Sequence, residues 1–173
     1  MPTNPNMVAI QTVTVGSGGA SSISFTSIPA TYTDLVVMLS TRLTGNAGGM
    51  YLTFNGSSSS YSGKRLGASG ASTVYSDSNA GLTDKLFVRA EDTRATASTF
   101  ASTQIYVPNY ASSNNKSVSY ESVAEDNGTT YNGIELNAGL WSNSAAITTV
   151  TVVPEAGNFA QYSTATLYGI KNS

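Results

Sequence analysis

The sequence predicts an all-β fold, a single-domain antiparallel β-sandwich or jelly roll. Three observations carry that expectation. Period-two alternation and β-branched runs recur along the chain, while a 3.6-residue apolar period is nearly absent. Clusters of Gly, Pro, Asn and Ser punctuate those runs at strand-length spacing. No helical segment separates successive strand candidates, so parallel βαβ units have nothing to form from. At 173 residues the chain is long enough for one core without disulfide or metal support.

The elements follow in order. Val8 to Val15 alternates and stops at Gly16-Ser17-Gly18-Gly19, which reads as a hairpin turn. Ser22 to Ile28 places Ile23 and Phe25 on one face and ends at Pro29. Asp34 to Arg42 contains the longest apolar run, Leu35 to Leu39, which suits a strand covered on both faces. Met50 to Phe54 points Met50, Leu52 and Phe54 one way and closes on Asn55-Gly56, a hairpin signal. Ser57 to Ser60 is loop. Tyr61 to Asp84 carries the weakest pattern, with short strands at Lys64 to Leu66 and Thr73 to Tyr75. Leu86 to Val88 is a short strand, and Glu91 to Ser98 fits a single helical turn. Phe100 to Val107 is a strong strand ended by Pro108-Asn109. Ser117 to Ala124 alternates Val118, Tyr120 and Ser122 against Ser119, Glu121 and Val123. Gly133 to Trp141, Ile147 to Val153 and Ala165 to Ile170 complete the set. One internal echo stands out. The order strand, Pro29, Tyr32, strand at 23–37 recurs as strand, Pro154, Tyr162, strand at 147–168. Duplication would produce it, and so would two similar corner turns in one sandwich.

Composition excludes much enzymology. The chain has no Cys and no His, which removes thiol and imidazole catalysis, disulfides and the commonest metal ligands. Charged residues make up 10%, against about 25% in an ordinary soluble domain. Polarity comes instead from 26 Ser, 22 Thr and 14 Asn. A net charge of −2 offers no basic footprint for nucleic acid. The apolar run is too short for a membrane span, and the N-terminus lacks the basic and apolar regions of a signal peptide. A weakly charged surface is poorly protected against association, which fits a protein built into an assembly. Residues 1–7 read as an extended arm and 8–173 as the sandwich domain. Within the arm, Met1, Pro2, Thr3, Asn4, Pro5 and Asn6 are the candidate partner contacts. Pro2 and Pro5 favour an extended conformation with less entropy to lose on docking. With no His, stability is expected to vary little between about pH 5 and 9, unless a buried carboxylate such as Glu121 or Asp34 intervenes.

Several constellations invite chemistry and yield to simpler readings. The Gly16 to Gly19 stretch resembles a phosphate loop, but a strand rather than a helix follows it. Ser62-Gly63-Lys64-Arg65 lacks the upstream Gly of a Walker motif. Asp77, Asn79, Gly81 and Asp84 have the flavour of a calcium loop. The Gly is one place early and the twelfth position carries no Glu, so a plain turn is expected. Glu121, Glu125 and Asp126 form the one cluster of three carboxylates in the sequence, and a solvated strand end accounts for them better than a glycosidase pair. Lys64, Arg65, Arg89 and Arg94 are available to pair with those acids or to meet a partner. The ten Tyr and Trp141 suit a core or an interface before a sugar platform.

Two stretches carry a family resemblance. One is Ser24-Phe-Thr-Ser-Ile-Pro-Ala-Thr-Tyr-Thr-Asp-Leu-Val-Val37. The other comprises Gly139-Leu-Trp-Ser-Asn143, Ala146-Ile-Thr-Thr-Val150 and the tail from Gly157 through Leu167-Tyr-Gly-Ile170. Tyr106-Val-Pro-Asn-Tyr110 and Asn114-Asn-Lys-Ser-Val-Ser119 fit the same pattern. Together they resemble small β-sandwich virion structural proteins of tailed bacteriophages of the cyanobacterial and marine type. The resemblance implies a structural role in the particle and carries over no catalytic residue. From it follow further expectations. The chain is a non-enzymatic capsid decoration (cement) protein, a homotrimer on the outer capsid surface. It clamps the major capsid protein, or another virion protein, without cofactor, nucleic acid or membrane. The alternative is a tail or fibre-tip module that binds host glycans through Tyr, Trp141 and Asn in exposed loops.

Overall fold

The structure, a computed structural model, describes residues 6–128 and 130–171. Within them the chain forms twelve strands. They are β1 Met7–Thr14, β2 Ile23–Phe25, β3 Asp34–Thr41, β4 Gly49–Phe54, β5 Tyr61–Ser69 and β6 Thr73–Asp77. They continue with β7 Leu86–Arg89, β8 Ala101–Val107, β9 Lys116–Ala124, β10 Gly133–Trp141, β11 Val150–Pro154 and β12 Thr164–Ile170. An eight-stranded sheet runs β1-β12-β3-β8-β9-β10-β5-β6, and a four-stranded sheet runs β2-β11-β4-β7. Every pair of named strands is antiparallel. The predicted antiparallel sandwich is therefore the fold.

Alternation sets which residues fill the space between the sheets. On β9 burial switches at every residue, turning Val118 and Tyr120 inward and Ser119, Glu121 and Val123 outward. The large sheet contributes Leu35, Val37, Leu39, Ile105 and Val107 to the core, and the small sheet contributes Ile23, Phe25, Met50, Leu52 and Val152. Trp141 is 1% exposed and packs with Phe54 and Tyr61 at ring-centroid distances of 5.8 and 6.2 Å. It is a core residue and does not sit in an exposed loop. Strand β3 is covered on both faces only in its first half. There Val36 lies between its register partners Tyr106 and Tyr168, whereas Met38 on the same face is 42% exposed.

Both turns read as hairpins carry the chain from one sheet to the other. The Gly16 to Gly19 turn closes with Gly19 N–H donating to Gly16 O at 3.0 Å, yet β1 pairs with β12 and β2 with β11. Asn55 and Gly56 have φ of 52° and 67°, as the hairpin signal requires, but β4 and β5 belong to different sheets. Local turn chemistry was legible; the partner strands were not. Asn55 also explains why β11 begins at Val150 rather than Ile147. Its Oδ1 accepts the N–H groups of Thr148 and Thr149 at 2.8 and 3.0 Å, which draws them out of the ladder.

The internal echo resolves into two neighbouring corners. Strand β2 lies beside β11 in the small sheet, and β3 lies beside β12 in the large one. Each segment leaves the small sheet and crosses to the large, and the two run antiparallel. The predicted helical turn at Glu91 to Ser98 does not form. Glu91 makes an isolated bridge with Arg42, and two tight turns follow, closed by Ala95 N–H to Asp92 O and Thr99 N–H to Thr96 O at 3.3 Å each. Strands β5 and β6 are longer than their sequence pattern suggests. Gly67 hides the alternation, and it is required: a Cβ there would stand 2.7 Å from Ile134 O and from the Tyr75 hydroxyl. Among the arm residues, Met1 to Pro5 lie outside the described set, and the carbonyl of Asn6 accepts the Lys171 N–H at 2.9 Å.

Candidate functional site

The two sheets are unequal, and the mismatch makes the site. Strands β5 and β6 extend the large sheet past β7, the last strand of the small one. Tyr61 of β5 still packs in the core and Arg65 lies against Phe87 of β7, and beyond them the lining changes from apolar to polar. A cleft of about 520 Å³ opens, floored by Arg65, Tyr75, Asp77 and Glu135 and walled by Phe87 and Arg89 of β7, with Glu91, Asp92, Arg94 and Tyr131 from the adjoining loops.

Charge in this cleft is paired. Arg65 forks onto Asp77, with Nε to Oδ1 at 2.9 Å and Nη2 to Oδ2 at 2.5 Å, and reaches Glu135 at 3.4 Å. Its guanidinium lies 4.6 Å from the Phe87 ring centroid and 5.5 Å from that of Tyr75. Glu135, 1% exposed, also accepts the Tyr75 hydroxyl at 2.5 Å and lies 4.0 Å from Arg89. Arg89 donates to the carbonyls of Tyr131 and Asn132 at 2.6 and 3.0 Å. Arg94 pairs with Asp92 at 2.5 Å and stands 4.5 Å above the Tyr131 ring. Three buried polar atoms on lining residues keep no hydrogen-bond partner: Arg89 Nε, Glu91 Oε1 and Glu135 Oε2.

Burial and pairing move the titrations. Burial pushes the Glu91 carboxyl up, and the neighbouring Asp126 adds to that against the opposing Arg89 and Arg42. Burial alone would raise Asp92 too, but hydrogen bonds from the Arg94 side chain and backbone outweigh it and hold Asp92 low. Burial, then the hydrogen bond to Glu135, pushes Tyr75 up to about 12, and Tyr51 reaches about 12 through burial and Glu155. The signs define a pH profile. A raised acid favours folding below its unfolded pKa, and that contribution is lost as pH rises through its folded value. Stability should therefore decline somewhat as Glu91 ionises above its ordinary range near 4.5, and fall steeply once pH passes 10 and unfolding releases the Tyr75 and Tyr51 protons. Glu91→Gln should raise the melting temperature at pH 8 and leave it unchanged at pH 4. An equal shift at both pH values would show that ionised Glu91 is not the destabilising species.

The structure relocates the sequence-based candidates. Glu121 is exposed on the outer face, Asp34 is buried and accepts from the Tyr106 hydroxyl and the Asn109 N–H, and the carboxyl that burial pushes up is that of Glu91. Asp126 accepts the N–H groups of Thr96 and Gly128, and Glu125 accepts that of Asn127. The acids that assemble are instead Asp77, Glu91, Asp92 and Glu135, scattered along the sequence and joined by the fold. Arg65, Arg89 and Arg94 pair with these rather than with Glu121 or Glu125, and Lys64 donates to Ser78 at 2.7 Å. In the stretch with a calcium-loop flavour, Asp77 is engaged by Arg65 and Asp84 by Lys85. Asn79 is buried and pins the loop, donating to Leu82 O and Lys85 O at 2.9 Å each and accepting the Phe87 N–H at 3.0 Å. Among the described residues no group of three or more His, Cys, Asp or Glu is placed to hold a metal ion.

A second feature lies on the outer face of the same strands. Val123 of β9, Ile134 and Leu136 of β10, Leu66 of β5 and Val74 of β6 point outward and are between 43% and 75% exposed. Register makes them neighbours: Leu136 faces Leu66, Ile134 faces both Val123 and Ala68, and Ala68 faces Val74. An apolar patch spans four adjacent strands, with Lys64 and Glu121 beside it.

The fold and site define a class: an all-β sandwich module with a charge-lined cleft at one end and an apolar outer sheet face. No family model and no curated protein matches the chain. Among solved structures it is similar to an exo-inulinase from Aspergillus awamori, at 14% identity and a TM-score of 0.41, covering 96% of this chain and 29% of that one. It is also similar to the E230A variant of a fructofuranosidase from Schwanniomyces occidentalis complexed with fructosylnystose, at 12% identity and a TM-score of 0.31, covering 96% of this chain and 33% of that one. The chain thus spans about a third of the length of these structures.

Proposed function

We propose that this chain is a virion structural protein, a decoration subunit on the outer capsid surface, seated on neighbouring coat subunits by the apolar face of its large sheet. That face is the observation that carries the reading. Soluble monomers rarely leave a contiguous apolar patch across several strands without a partner for it. The low charge of the chain and its resemblance to small virion sandwiches support the same role. Seated across a joint between coat subunits, the domain would add buried area that must be lost before the joint opens. The arm, Met1 to Asn6, would lie along a neighbour, and three copies would complete a trimer. The test is copy number in purified particles: hundreds support a shell subunit, and a handful would move the chain to the tail or fibre and overturn the decoration role.

Attachment by an apolar face should resist salt. At about 1 M salt the Debye length is near 3 Å, so long-range charge attraction is screened while apolar burial persists. Particles washed at that salt are expected to retain the protein, and deletion of residues 1–6 should weaken retention while the domain still folds. Release of the wild-type chain by salt alone, or full retention of the truncated one, would rule out this mode of attachment.

A further inference from the structure

We propose that the cleft at the β5–β6–β10 end binds a neutral sugar ring, independently of attachment by the outer face. Its volume, about 520 Å³, falls within the range of small-molecule sites. Its charges argue for the ligand class. The guanidinium of Arg65 is already paired to Asp77 and Glu135, that of Arg94 to Asp92, and that of Arg89 stands 4.0 Å from Glu135, so no arginine there lacks a counter-charge and an anion meets four carboxylates. A cation meets three arginines. What the lining leaves unmet is one donor, Arg89 Nε, and two acceptors, Glu91 Oε1 and Glu135 Oε2. A buried polar group without a partner carries an uncompensated desolvation cost, which a ligand that supplies the partner removes. A sugar hydroxyl both donates and accepts, so one ring edge can meet carboxylate and guanidinium together.

The rim supplies the other half of sugar recognition. Tyr131 is 41% exposed at the mouth of the cleft, and its ring is held by Arg94 at 4.5 Å. With Phe87 and Tyr75 in the wall and floor, it offers apolar surface for the C–H face of a pyranose. The three unpartnered atoms are covered by their neighbours, and a bound sugar reaches them as those neighbours shift.

The experiment is saturation-transfer and ¹H–¹⁵N NMR on the full chain, with a panel of neutral hexoses, deoxyhexoses, pentoses and N-acetylhexosamines, free and as short oligomers, at about 10 mM to capture millimolar affinity. Glucuronic and sialic acids are the anionic controls. At least one neutral sugar is expected to bind and to shift the Arg89 Nε–H resonance. Stronger binding of the oligomer than of its monomer would point to a polysaccharide source, and equal binding to a free sugar. Tyr131→Ala, a change at the exposed rim, should weaken binding about tenfold while the rest of the spectrum stays in place. Absence of binding by every neutral sugar, preference for the acids, or binding that Tyr131→Ala leaves untouched would each overturn the proposal. None of these outcomes depends on how the chain is retained on particles.

Discussion

Arg65→Ala is expected to lower the melting temperature by roughly 6–20 °C. Arg65 touches both Asp77 and Glu135 across the cleft floor, and Glu135 is 1% exposed. Removing one partner of a buried ion pair typically costs about 3–5 kcal/mol, because the remaining charge is stranded away from water. For a chain of 173 residues, each kcal/mol moves the midpoint by about 2–4 °C. The cost is assigned to Glu135, left with the Tyr75 hydroxyl and only the more distant Arg89 guanidinium, so neutralising it should restore stability. Arg65→Ala combined with Glu135→Gln should melt higher than Arg65→Ala alone. The lost stacking on Phe87 and Tyr75 would remain lost in both variants, which separates the packing contribution from that of charge. A drop below about 2 °C for the single variant, or no recovery in the double, would show that charge pairing does not hold this end of the sheet together.

Leu136→Asp is expected to cost little in the isolated chain and a great deal on the particle. Leu136 sits in the middle of the outer patch, opposite Leu66, with its side chain in solvent. Substitutions at such positions usually change folding stability by less than about 0.5 kcal/mol, and Glu121, directly opposite on β9, adds a like-charge cost of roughly 0.2–1 kcal/mol. In a docked interface the same carboxylate would be desolvated among apolar side chains with no cation assigned to it. Central interface residues of this kind contribute about 2 kcal/mol or more, roughly a thirtyfold loss of affinity. Adding Leu66→Asp places two like charges at directly paired positions and should abolish retention. Unchanged retention of the double variant, at unchanged folding stability, would mean that the patch faces solvent in the particle.

Much of the fold was legible because strand formation is written locally. β-branched alternation in Val118 to Val123 states which side chains share a face, and Pro29, Pro108 and the Asn55-Gly56 pair state where strands stop. The weak stretch from Tyr61 to Asp84 was hard to read for a local reason as well. Gly63 and Gly67 stand at inward positions where a Cβ would strike the backbone of β10, so close packing there erases the apolar signal that alternation depends on. Glu91 to Ser98 looked helical because its composition suits a helix, and the bridge to Arg42 and the Asp92–Arg94 pair override that preference.

Sequence by itself determined the class of this protein: an all-β, His-free and Cys-free domain of low charge, with its strands and turn chemistry in nearly the right places. It could not determine partnership. Strands β1 and β2, or β4 and β5, are consecutive and joined by tight turns, yet they lie in different sheets, because pairing is chosen by the core that two sheets share rather than by the turn between them. The cleft follows from the same choice. Asp77, Glu91, Asp92 and Glu135 belong to segments with no common pattern, and they meet only because eight strands outreach four. Where the smaller sheet stops, the inner face of the larger one loses its apolar cover, and polar side chains that pair with one another are the physical alternative to exposing a core.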